Sequence, residues 1–97
     1  MPETALPLWV SAAAYEERLG PLLESLGRNR EAAIHRISAA SCYQKAGDLS
    51  RAVNLFRAAL SGPLRKITRR EIEQKLAGCL ADLSHLGTGF KLPRKVV

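Results

Sequence analysis

The side chains in this chain that could do chemistry are few: Ser41-Cys42-Tyr43, His35, His85, Cys79 and the adjacent carboxylates Glu16-Glu17. A serine or cysteine nucleophile needs a base within hydrogen-bond reach, and none is placed to activate Ser41 or Cys42. Glu16 and Glu17 are neighbours on a helix and point in two directions, which makes a solvated face rather than an acid–base pair. His35 and His85 have no partner at a helical metal-ligand spacing. There is no glycine-rich phosphate loop, no His-Glu-x-x-His and no nucleophile-elbow serine. The chain therefore reads as a protein that is not an enzyme, with no cofactor and no metal expected. Cys42 and Cys79 could in arithmetic form one disulfide, but each falls in the apolar stretch of its own helix and reads as a buried thiol.

What chemistry remains is that of binding. The net charge is +6 over 97 residues, and the surplus lies beyond Leu49. There Arg51, Arg57, Arg65, Lys66, Arg69, Arg70, Lys75, Lys91, Arg94 and Lys95 face only Glu71, Glu73 and Asp82. The cluster Arg65, Lys66, Arg69, Arg70 with Lys91, Arg94, Lys95 has two readings. It could hold nucleic acid or another anionic surface through salt-sensitive phosphate contacts, although Phe90 is its one aromatic. It could equally steer an acidic protein partner.

These residues are positioned by helices. From Ile34 to Leu64 the sequence folds back on itself at Gly47-Asp48. Ala33, Ile37, Ala40 and Tyr43 recur every three or four residues in the first arm, as do Val53, Phe56 and Leu60 in the second, beside a row of Ala52 and Ala59. Gly47 can take the left-handed conformation that ends a helix, and Asp48 or Ser50 can cap the next. So short a turn forces antiparallel neighbours. Alanines at 40, 52 and 59 let the axes approach, and Tyr43 and Phe56 fill the gaps.

The order Ala40, Tyr43, Gly47-Asp48, Ala52, Phe56, Ala59, with a proline just beyond, resembles a tetratricopeptide repeat of ~34 residues. A similar spacing occurs in the three-helix microtubule-interacting-and-transport domain. Arg36 and Ala39 depart from the repeat pattern, which has a large aromatic and a leucine there, and Pro63 falls one place early. The resemblance implies an inner surface lined by the first arm, on which Ile34, Ile37, Ser41, Gln44 and Lys45 would meet a peptide or helix of a protein partner. The family's clamp for acidic C-terminal tails needs Lys and Asn where Ile37 and Ser41 stand, so that activity is not implied.

The rest of the chain supplies cover. Residues 1–7 read as a loose lead-in. From Leu8 to Leu26 apolar residues run at helical intervals, with Gly20-Pro21 kinking the helix or breaking it in two. Trp9 reads as a plug at one end of the core. Asn29 is a fair N-cap for a helix from Arg30 to Ala46, and a helix from Leu49 to Ser61 is closed by Gly62-Pro63. Thr68-Arg-Arg-Glu71 has the capping-box pattern, and Ile72, Leu76, Cys79, Leu80 and Leu83 form the stripe of a closing helix ending at Leu86-Gly87. The expected fold class is all-α, a small antiparallel helical bundle of tetratricopeptide-like helix-turn-helix form with a C-terminal closing helix. It spans residues 1–87 as one domain, with 88–97 a basic tail. The closing helix is an open edge through which copies could pair into a homo-oligomer. No run approaches the ~20 apolar residues of a membrane span, no basic leader precedes an apolar core, and cytoplasmic residence is the expectation.

Overall fold

Gly47 adopts φ 88°, and the chain reverses around it. The Gly47 N–H donates to the Gln44 carbonyl (3.0 Å) and the Asp48 N–H to the Tyr43 carbonyl (2.9 Å), which is the paired closure of a helix by a left-handed residue. Asp48 then caps the following helix, its carboxylate accepting from the Arg51 N–H at 3.2 Å. Gly27, at φ 77°, ends the preceding helix in the same way, with Gly27 N–H to Glu24 O and Arg28 N–H to Leu23 O.

A computed structural model describes residues 2–90, with side chains from 7 to 85. It is all-α. The helices are α1 (Pro2–Ser25), α2 (Asn29–Ala46), α3 (Leu49–Leu60) and α4 (Lys66–Phe90), and no strand occurs among the described residues. Helices adjacent in sequence pack on each other, α1 on α2, α2 on α3 and α3 on α4. Tyr43 and Phe56 are buried at 2% and 0% exposure among Ala39, Ala40, Ala52, Val53, Leu55, Ile72 and Cys79. The small residues of α2 and α3 admit the two rings between the helices, as their spacing requires. Leu76 and Leu83 pack against this core from α4.

Several local expectations change. Residues 2–7 belong to α1 rather than to a lead-in; Pro2 begins it, where a missing N–H has no intrahelical acceptor to lose. Of the two outcomes open at Gly20-Pro21, the helix continues through rather than breaking in two. Pro21 leaves the Glu17 carbonyl without its helical donor, but Ala13 and Glu17 before the proline and Glu24 after it all engage α2 or the core. Asn29 is the first residue of α2 and not its cap. That place falls to Arg28, whose side chain makes no cap bond and binds Glu31 instead. Ser61 follows α3 rather than ending it. Because α4 already starts at Lys66, Thr68 stands inside its first turn and no capping box forms at its start. Leu80 is 37% exposed, leaving Ile72, Leu76, Cys79 and Leu83 as the packed stripe. Finally, α4 continues past Gly87 to Phe90, since an established helix adds a hydrogen bond for each residue it fixes. Trp9 is half-buried rather than a core plug.

The molecule measures 51 × 33 × 21 Å, so much helix surface stays uncovered. On α1 the outward residues Leu8, Tyr15, Leu22 and, just beyond its end, Leu26 are more than half exposed. No helix among the described residues is long and apolar enough to cross a membrane.

Candidate functional site

Ile34, Ser41 and Lys45 follow one another at seven and four residues along α2 and share a face, with Ile37 and Gln44 beside them. That face is turned away from the buried Ala32, Ala39 and Tyr43. Ile34 is 50% exposed. It forms one wall of a cleft of about 230 Å³ whose other residues are Arg30 and, across from α2, Pro63, Leu64, Arg65 and Thr68. The fold thereby joins residues from both sequence-derived sets, an apolar one from α2 and a cationic one from the basic connection. Ile37 instead packs against the core, and Ser41 and Gln44 are half-buried. The Lys45 ammonium sits 4.4 Å from the centre of the Trp9 ring, a cation–π contact that ties the end of α2 to the start of α1.

The basic cluster divides by role. The Arg69 guanidinium donates to the Leu60 carbonyl (2.6 Å) and the Gly62 carbonyl (2.9 Å). It therefore serves the open carbonyl end of α3, where a cation is favoured by the helix dipole. Arg65, Lys66 and Arg70 are exposed. Lys91, Arg94 and Lys95 lie outside the described residues. Phe90 ends α4 some 36 Å from Lys66 at the helical rise of ~1.5 Å per residue.

The α1–α2 contact carries polar pairs that the sequence did not signal. The Tyr43 hydroxyl donates to Glu17 (2.8 Å), His35 Nδ1 pairs with Glu16, and Arg36 donates twice to Glu24 at 2.9 and 3.0 Å. The Arg36 side chain lies across Gly20, where an added Cβ would stand 2.9 Å from its Nε. So the arginine that departs from the repeat pattern fills a place where α1 has no side chain. Its guanidinium holds the Glu24 carboxyl below the usual carboxylate range. Burial, then the Glu17 hydrogen bond, raises the Tyr43 phenol. Beside this contact Glu17, Arg51, Asn54 and Leu55 line a second, shallow cleft of about 430 Å³. Arg51 also lies over the Tyr43 ring (5.5 Å) and beside Asp48 (3.5 Å), so its charge is already shared.

Cys42 and Cys79 are free thiols, and burial pushes the Cys79 thiol up. Among the described residues no three His, Cys, Asp or Glu side chains converge as a metal site would require. Comparison with protein-family models, with curated proteins and with solved structures found no match for this chain.

Proposed function

We propose that the protein is a non-catalytic interaction module, a tetratricopeptide-like helical hairpin that docks a peptide or helix of a partner protein, in a scaffold or adaptor role. The observation that carries this reading is the cleft between α2 and the α3–α4 connection. It sets a half-exposed isoleucine opposite an exposed arginine, with Leu64 and Pro63 as an apolar floor. Such a site favours a bulky apolar side chain flanked by a carboxylate, since Arg65 can pair with the acid while Ile34 and Leu64 cover the hydrocarbon. Ile34 of α2 and Arg65 of the α3–α4 connection are the residues to test, because Ile37 is committed to the core.

Selection from a random peptide library displayed on phage tests the reading. Enriched peptides should carry an apolar residue next to Asp or Glu, and should lose binding to Ile34→Ser and Arg65→Glu variants of unchanged helicity. Absence of enrichment, or binding indifferent to both substitutions, would remove the cleft as the site. The alternative, nucleic-acid or anionic-surface binding, keeps Arg65, Lys66 and Arg70 with Lys91, Arg94 and Lys95 but loses Arg69 to its two carbonyls. Six phosphate contacts would give a salt slope of about −5 on a duplex, and a slope of that size on random DNA would favour that alternative.

A further inference from the structure

The outward face of α1 carries a second apolar pattern, independent of the α2 cleft. Leu8, Ala12, Tyr15, Leu19, Leu22 and Leu26 follow at intervals of four, three, four, three and four. This is the seam of a two-helix coiled coil. It lies half a turn from the row that meets α2, in which Ala13 is buried and Glu17 and Glu24 hold Tyr43 and Arg36. No described residue covers it: Leu8, Tyr15, Leu22 and Leu26 are 71%, 58%, 56% and 62% exposed, and Ala12 and Leu19 are half-buried. From Leu8 to Leu26 the seam runs about 27 Å at the helical rise of ~1.5 Å per residue.

We propose that this seam is the contact through which two copies of the chain form an antiparallel dimer. Two features fit a second copy as the occupant. The spacing is the same read in either direction, so a two-fold axis near Glu17 matches every layer. Leu8 then meets Leu26 of the other copy, Tyr15 meets Leu19, and the small Ala12 meets the large Leu22, where an in-register parallel pair would stack Tyr15 on Tyr15 and Ala12 on Ala12. The area also suffices. The exposed seam amounts to on the order of 500 Å² per copy, or roughly 1,000 Å² for the pair, where specific association begins. The exposed Arg18 flanks the seam and approaches its own counterpart near the axis. Added salt therefore tightens this dimer by screening, opposite to an association driven by the basic α4.

Light scattering on the full chain over a concentration series tests the proposal. The mass should rise toward twice 10.6 kDa, at lower concentration in higher salt. A Tyr15→Glu, Leu22→Glu double variant should remain at the single-chain mass with unchanged helical circular dichroism, while Ile67→Glu on α4 should dimerise as the parent does. A parent that stays at the single-chain mass at its highest soluble concentration would overturn the proposal. So would a seam variant that still dimerises, or an Ile67→Glu protein that does not.

Discussion

Phe56 is fully buried, and its truncation is the most damaging single change the core offers. Phe56→Ala should lower the unfolding free energy by about 3–5 kcal/mol through lost burial and the remaining cavity, read from chemical denaturation. The polar pairs between α1 and α2 respond to pH. Glu24 is depressed chiefly by its hydrogen bond to Arg36. Its contribution is thus complete above the unfolded carboxylate value, about 4, and disappears as pH falls through the lower folded value. Tyr43 is raised, first by burial. Its contribution is complete below about pH 10 and is lost as pH climbs through the higher folded value. A plot of melting temperature against pH should fall at both ends, Glu24→Gln flattening the acid limb and Tyr43→Phe the alkaline one. The burial of Tyr43 and Phe56 was legible from spacing alone. Their polar company was not, because Tyr43–Glu17 and Arg36–Glu24 join residues 26 and 12 apart in sequence, and no local pattern encodes which face of α1 meets α2.

Among the elements, the α2–α3 turn follows its sequence closely, since Gly47 and Asp48 each perform a task few other residues can. Gly47→Ala should cost about 1–2 kcal/mol, the penalty of a Cβ in the left-handed region. Open space around that position makes the loss conformational rather than steric, and a denaturant midpoint shift with unchanged slope would identify it. Helix α1 was less legible. Gly20-Pro21 argues locally for interruption, yet the polar pairs to α2 bracket Pro21 and the helix continues through it. The starts of α2 and α4 depart from their sequence pattern for another reason. Asn29 and Thr68 have capping side chains, but at α2 the left-handed Gly27 sets the boundary, and at α4 the Arg69 N–H reaches back to the Arg65 carbonyl at 2.8 Å.

For the molecule as a whole, composition and helical periodicity were enough to read an all-α chain, because few aromatics and many alanines suit close helix packing. The α2 cleft was half legible. Ile34 was in view as one of five residues on a strip, whereas its pairing with Arg65 depends on how the α3–α4 connection returns past α2. The outward seam of α1 was hidden by the inward one. Both sit on the same two dozen residues, and a reading that seeks one apolar face merges them.

Because each helix leans mainly on its neighbour in the chain, the four are not equally protected against opening. Helices α2 and α3 each pack on two neighbours, whereas α4 packs mainly on α3, and its detachment would leave the Tyr43–Glu17 contact between α1 and α2 in place. Amide protons of α4 should therefore exchange with deuterium through a partial opening of low free energy, while those around Tyr43 and Phe56 should exchange only when the whole chain unfolds. Equal protection along all four helices would mean that the array opens as a single cooperative unit.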